Sequence, residues 1–381
     1  MKSVLILGAS DIQLPVIKEC RRLGHRSLVA DHDSNAAGLR IADVPLLVST
    51  NDVKAILAAA REHAIDGILT TSDYPVRTVA RVCRELGLCG VSERAAEIST
   101  DKFLQRELFR SKALPFPEYL LVESPSDISE AARRLTFPVI IKPVDSSASR
   151  GVSRVDVPEK LDDAYTLAHS YSRNGKVLVE EFIPGPEFSV EILVQNGKVH
   201  IIAITEKTTG GEDGRFFVEE RHIVPAALKL DATRAIHESV RSAVLAAGLD
   251  HCASHTEVKL SPRGPVIIEM AARLGGDYIT SDLVPLATGV NMLENVIRMA
   301  LGQDLDPLPR QSRVAGVQFV TPATYSRAAA HFERIRNDAR VHRMELHPKP
   351  EGAVLRSSMD RLGYCIASAD TREALLTLLE F

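Results

Sequence analysis

Two long runs of alternating apolar residues, EFSVEILVQ and KVHIIAITEK, meet at Asn196-Gly197. Asn-Gly between such runs favours the left-handed backbone of a two-residue turn, so this stretch is expected to fold as antiparallel sheet. The first hundred residues follow a different grammar. SVLILGAS, residues 14–23, RSLVADHD, an amphipathic run starting at Asp52, GILTTSD and residues 76–86 alternate strand-like with helix-like patterns. Strands separated by helices imply a parallel, doubly wound sheet. Both kinds of sheet therefore occur in one chain of 381 residues, long enough for two or three domains.

Between these regions, residues 101–112 read as a helix, EYLLVES as a strand, 126–135 as a helix and FPVIIK as a buried strand. A helix over 232–247 precedes a second hairpin, SHTEVKLSPRGPVIIEMAARLGGD. The helix over 293–301 ends at Gly302, a fitting C-cap. Beyond a polar, proline-containing link at 303–313, VAGVQFV, GAVLRSS and LGYCIAS read as strands and 371–379 as a closing helix. The fold class is thus α/β combined with α+β.

Composition removes several classes. A hydrophobic content of 45%, a charged content of 25% and a net charge of −4 suit a globular protein and argue against a nucleic-acid surface. No apolar run approaches the ~18 residues of a membrane span, and the N-terminal MKSVLIL reads as a first strand rather than a signal sequence. Cys20, Cys83, Cys89, Cys252 and Cys365 form no CxxC pair, as expected of reduced thiols in a cytoplasm. His251 and His255 stand four apart, but the residues after them alternate as a strand, where i and i+4 lie ~13 Å apart, so no zinc site is expected. The charged segment 333–347 reads as a solvated surface. GASDIQ lacks the later glycines of a dinucleotide fingerprint, which disfavours an NAD site even with Asp31 at the end of the second strand.

Three constellations carry chemistry. Lys142 follows the β-branched run Val139-Ile140-Ile141, and lysine beside a core strand needs a partner. After it, Ser146, Ser147, Ala148, Ser149 and Gly151 leave backbone N–H groups open to phosphate oxygens. In the second hairpin, Glu257 and Glu269 can stand side by side on adjacent strands, where they repel unless a cation or proton lies between them. Hard oxygen ligands near a phosphate point to Mg²⁺. Just beyond, Arg273 offers a forked donor, and Gly275-Gly276 allows close backbone approach. In VLVEEFIPGPEFSVE, Glu180, Glu181 and Glu187 are acceptors suited to an amine or to ribose hydroxyls, while Phe182 and Ile183 offer a wall to a purine.

The order of these pieces resembles the ATP-grasp superfamily of carboxylate–amine and carboxylate–thiol ligases, in particular the amino-acid ligase and carbamoyl-phosphate-synthase-like branch. The likeness runs from the first domain to about Gly302. TDKFLQRELF matches the first phosphate lysine at Lys102; FPVIIKPVDSSASRGV matches the second, Lys142, with the lid at residues 146–151. VEEFIPGPEFSVE matches the adenine hinge, Glu180 to Ile183, and the ribose acid, Glu187. HTEVKLSPRGPVIIEMAARLGGD matches the metal acids, Glu257 and Glu269, and the reactive-centre arginine, Arg273. Two positions depart: Ala271 stands where the family often has a metal-binding asparagine, and Ala148 where glycine is common in the lid.

The resemblance implies an ATP-grasp fold with a Rossmann-like domain at 1–99, a small lobe with the lid at 100–175, a large lobe with the metal and substrate site at 176–302, and a C-terminal lobe at 303–381. It also implies ATP with Mg²⁺ or Mn²⁺, a small-molecule carboxylate, expected to be an amino acid, and an amine. The carboxylate attacks the γ-phosphate and the amine then attacks the acyl phosphate, with Lys142 and Arg273 catalytic. Glu219, His222, Arg273, Gly275 and Gly276 are the substrate candidates, with Arg221 between the first two. A homodimer is among the expected assemblies; nucleic acid and membrane are not expected partners. The alternatives are a bicarbonate-using carboxylase of the biotin-carboxylase type, a regulatory ATP-binding protein without turnover, and, most remotely, a dehydrogenase.

Overall fold

The computed structural model describes residues 1–210 and 216–381. Its first sheet holds β1 (Ser3–Leu7), β2 (Arg26–Asp31), β3 (Val44–Leu47) and β4 (Gly67–Thr70), all parallel, in the order β3-β2-β1-β4. Helices on both faces bury Val4 to Leu7 of β1 completely, which is why these four residues are an unbroken apolar run. β3 was not anticipated. It contains Pro45 and alternates half-buried with exposed residues, as an edge strand can. Asp31 does not end its strand as a free acid: its carboxylate accepts the Ala9 and Asp33 N–H groups at 2.8 and 3.0 Å. The loop after β1 is thereby closed from within, which further disfavours a ribose there.

The second sheet is antiparallel: β5 (Tyr119–Val122), β6 (Val139–Pro143), β7 (Ser153–Val155) and β8 (Val177–Glu181), in the order β5-β8-β6-β7. Helix Leu161–Tyr171 covers its apolar face.

The third sheet has eight strands in the order β13-β12-β9-β10-β11-β14-β16-β15. They are β9 (Glu187–Gln195), β10 (Lys198–Gly210), β11 (Val218–Val224), β12 (Cys252–Ser261), β13 (Gly264–Ala271), β14 (Val314–Val320), β15 (Val341–Leu346) and β16 (Gly363–Ala369). Asn196 and Gly197 both take positive φ, 54° and 71°, as their hairpin turn requires. The strands after residue 303 continue this sheet through the β11–β14 pairing. The segment GAVLRSS, expected as a strand, is irregular and leads into a single helical turn, Ser358–Asp360. The charged segment 333–347 is mostly exposed and contains the end of helix Tyr325–Ile335 and the strand β15, a sheet edge.

One helix fastens the first sheet to the third. Met292–Ala300 buries Ile297 and Ala300 among Val4, Ile6 and Leu69. Gly67 lies so close to it that an added Cβ would stand 2.5 Å from the Ala300 carbonyl oxygen. This contact sets where the turn after β4 meets the end of β13.

Candidate active site

Along β6, Ile140 and Lys142 share a face, and Glu180 of β8 pairs opposite Ile140. Lys142 therefore reaches Glu180 diagonally, Nζ to Oε2 at 2.7 Å. Arg106 approaches the same carboxylate from helix Lys102–Ser111, with Nε–Oε1 at 2.8 Å and Nη2–Oε2 at 3.2 Å. All three groups are buried. Burial opposes charge on Glu180, but Arg106 and Lys142 outweigh it and hold the carboxyl below its usual range. For Lys142, burial, helped by the nearby cations Arg106 and Lys102, prevails over Glu180 and lowers the ammonium pKa. Glu180 was read as an acceptor for an amine or for ribose hydroxyls; its carboxylate is taken up by two internal cations.

Lys102 lies one helical turn before Arg106, on the same face. Its Nζ donates to the Ser146 carbonyl at 2.7 Å and to Glu269 Oε1 at 2.9 Å, so a single side chain spans the 146–151 loop and the second hairpin. Burial works against its charge, but Glu269, Asp73 and Glu257 raise its pKa above the ordinary lysine value. In the lid, Ala148, Ser149 and Gly151 all have positive φ, 57°, 55° and 75°. Two of these three residues carry a Cβ, so the lid holds backbone strain that glycine would not. Ser147 accepts from Arg150 Nε through its carbonyl at 3.1 Å.

Glu257 and Glu269 stand directly opposite each other, beside a bulge in the β12–β13 ladder. Between Glu257 and two further acids sits a residue that the sequence reading missed. Lys207, in the middle of β10 and 3% exposed at its side chain, places Nζ 2.6 Å from Glu257, 2.9 Å from Glu187 and 3.5 Å from Glu219. Burial opposes its charge, yet these three carboxylates raise its pKa well above the usual value. Behind Glu257, buried His255 bonds through Nδ1 to Glu191 Oε1 at 2.8 Å.

Arg273 is gripped by Asp73, from the turn after β4, through Nε–Oδ1 at 2.8 Å and Nη2–Oδ2 at 3.2 Å. Gly275 has no space for a side chain, because a Cβ would meet Glu191 and His255 at 2.7 Å; Gly276 faces open space. Next to them Asp277 binds both Nη atoms of Arg361, whose guanidinium lies 3.8 Å from the Phe319 ring centre. Buried His222 stands 3.7 Å from Asp277, and Glu219 accepts from the Ser358 hydroxyl at 3.1 Å. The segment around 358–361, in which no motif was read, thus reaches the substrate candidate Glu219 directly and Asp277, the neighbour of His222. Residues 211–215, the centre of the glycine-rich loop before Glu219, lie outside the described residues.

At the hinge, Glu181 binds Arg263 at 2.7 Å and Phe182 lies under Arg154 and Lys259. The carbonyl of buried Ile183 accepts from Lys259 Nζ at 3.2 Å.

Residues 135–282, which include Lys142, the lid, both glutamates and Arg273, match the ATP-grasp domain family. These residues form an ATP-grasp domain. It is 26% identical over 346 residues to the uncharacterized protein y4rH of Sinorhizobium fredii, covering 87% of this chain and 71% of that one. It is 30% identical over 278 residues to the alanine–anticapsin ligase of Bacillus subtilis, covering 67% of this chain but only 58% of the ligase. The fold is similar to that of the L-amino acid ligase from Bacillus licheniformis, with a TM-score of 0.80, 23% identity, and 98% and 95% of the two chains covered.

In this ATP-grasp protein the donor set fits a hard divalent cation. Glu257 and Glu269 offer carboxylate oxygens in register, each about one quarter exposed, at 23% and 24%. Each is neutralised by a lysine through Oε1, so a cation entering there would share the carboxylates with Lys207 and Lys102. Ala271 is buried and contributes no ligand. Lys207 and Arg106 escaped the sequence reading for different reasons. Arg106 had a signal, its i+4 spacing from Lys102; Lys207 had none, because three separate strands bring its acids together.

Proposed function

We propose that this protein is an ATP-dependent, ADP-forming ligase that activates a small carboxylate, an amino acid in our reading, as an acyl phosphate and joins it to an amine. The observation that carries the proposal is the convergence of Lys102, Glu269, Glu257 and Lys207 on one hairpin, with Arg273 four residues after the second glutamate. Such a cluster suits the charge of a nucleoside triphosphate and of the transferring phosphoryl group. The relatives of known activity support the same chemistry, since they include alanine–anticapsin and D-alanine–D-alanine ligases.

In this reading Lys142 and Lys102 offset phosphate charge as the substrate carboxylate attacks the γ-phosphorus and ADP leaves. Mg²⁺ or Mn²⁺ held by Glu257 and Glu269 would supply further countercharge on the phosphate oxygens. Arg273 and the backbone N–H groups near Gly276 stabilise the oxyanion that forms when the amine attacks the acyl phosphate. The lid at 146–151 covers the phosphates and keeps water from the acyl phosphate. Ser146, Ser147 and Ser149 offer lid donors, and Gly151 lets the chain turn tightly. Phe182 and Ile183 line the adenine, and Glu187 accepts from the ribose. Glu219 and His222 face the amine-bearing substrate. The free cysteines, four of five buried, suit a reducing compartment such as the cytoplasm.

The test is phosphate release from Mg-ATP against single amino acids, amino-acid pairs and bicarbonate. Release that needs both a carboxylate and an amine, with a dehydrated product by mass spectrometry, is the expected result. Release with bicarbonate alone would replace this reading with a carboxylase.

A further inference from the structure

The turn after β4 touches two parts of the site through neighbouring residues. It is anchored in the first sheet: Gln13 Nε2 donates to Ser72 Oγ at 2.9 Å and to Thr71 Oγ1 at 3.3 Å, and the Ser72 N–H donates to Thr70 Oγ1 at 3.1 Å. From this base Asp73 holds Arg273 by the two-pronged pair described above. Tyr74, the next residue, meets the lid region. Its hydroxyl accepts from Arg150 Nη2 at 2.6 Å, and the Arg173 guanidinium lies 3.6 Å from its ring centre. Arg173 belongs to the loop whose N–H groups bind Asp145, at the root of the lid. Among the described residues neither arginine has a carboxylate partner, so the Tyr74 ring and hydroxyl are their principal polar contact outside the lid region.

We propose that residues 71–74 couple the lid to the reactive centre: Tyr74 receives Arg150 of the lid and Arg173 of the loop beside it, and Asp73 is a positioning residue that holds Arg273 over the acyl-phosphate site. The physical basis is short-range. Adjacent residues share one planar peptide, so seating the lid on Tyr74 restricts Asp73 as well. A two-pronged arginine–carboxylate pair is directional, and small displacements of its acid re-aim the guanidinium. Cation–π contact with Arg173 stabilises the seated lid without closing off its release. The inference rests on the ligase reading above.

The first test is amide hydrogen exchange on the full chain with Mg²⁺ and β,γ-imido-ATP. In the wild type the nucleotide is expected to slow exchange in 145–152 and 71–76 together. In Arg173→Ala, whose side chain is exposed, and in Tyr74→Ala, protection at 71–76 should fall about tenfold while nucleotide Kd stays within about threefold. Full protection of the turn in both variants would overturn the coupling. A wild type that binds no nucleotide would overturn the ATP reading and the inference with it. The second test is substrate-dependent ADP release. Asp73→Asn should lower kcat about 100-fold with little change in the KM for ATP, with partial rescue in Asp73→Glu. An unchanged kcat would remove Asp73 from its positioning role.

Discussion

Lys207 enters the site from mid-strand, where β10 pairs it with Glu187 across β9 and with His222 across β11. Its ammonium then reaches Glu219 and Glu257, so it balances acids drawn from three neighbouring strands. Removing it leaves those carboxylates to repel one another and any phosphate nearby. Lys207→Ala should therefore reduce ADP formation by about 10²–10³-fold, checked by coupled assay at saturating Mg-ATP. Glu269→Ala removes a proposed metal ligand and the partner of Lys102 at once, and the expected signature is loss of turnover together with a changed dependence on Mg²⁺ concentration. Full turnover there would show that the hairpin is not the metal site. At this scale the sequence exposed Glu257 and Glu269, because hairpin pairing places them opposite each other. It could not expose Lys207, since nothing in ITEKTT distinguishes a buried lysine from one at a solvated strand end.

Among elements, the tie between helix Lys102–Ser111 and the small sheet depends on the buried trio Arg106, Glu180 and Lys142. Arg106→Met leaves Glu180 with one cation in place of two and frees the Ile268 carbonyl that Arg106 also satisfies at 2.6 Å. Losing one partner of such a buried pair costs about 3–5 kcal/mol, so denaturant unfolding should show a large fall in midpoint with little change in slope. The lid is the opposite case. Ala148 has φ 57°, and Ala148→Gly should raise stability slightly, by about 0.5–1 kcal/mol, and speed exchange of the lid amides. The Ala148 departure was visible in the sequence, but the sign of its backbone angle was not. Most strands and helices were legible because their periods are clean. β3 and β15 were not, since each is an edge whose solvated residues break the apolar signal.

Across the whole molecule, the first sheet must sit at a fixed distance from the third for Asp73 to meet Arg273. Gly67 against the Ala300 carbonyl sets that distance. Gly67→Ala should force the two apart, costing about 1–3 kcal/mol and lowering turnover more than nucleotide affinity; calorimetry and ATP titration would separate the two effects. A second long-range tie joins Asp277 to Arg361. Burial opposes charge on Asp277, but His222 and Arg361 hold its carboxyl well below the usual range. A carboxyl depressed on folding adds stability above its unfolded pKa of about 3.9, and that stability is lost as pH falls from there toward the folded value. Asp277→Asn should accordingly flatten the acid limb of the stability profile below about pH 4, measured by urea unfolding across pH.

The sequence by itself determined the two kinds of sheet, the position of Lys142 at the end of a buried strand, the paired glutamates and Arg273 with its glycines. Each of these follows from local period, turn chemistry or cross-strand register, which act over a few residues. Only the tertiary structure decided the partners: Glu180 with Arg106, Lys207 with three acids, Asp73 with Arg273, and Arg361 with Asp277. These pairs join residues 12 to 200 positions apart, and the sheet order and one tightly seated helix bring them together. Coulombic and hydrogen-bonding energies depend on that distance, and no pattern along the chain encodes it.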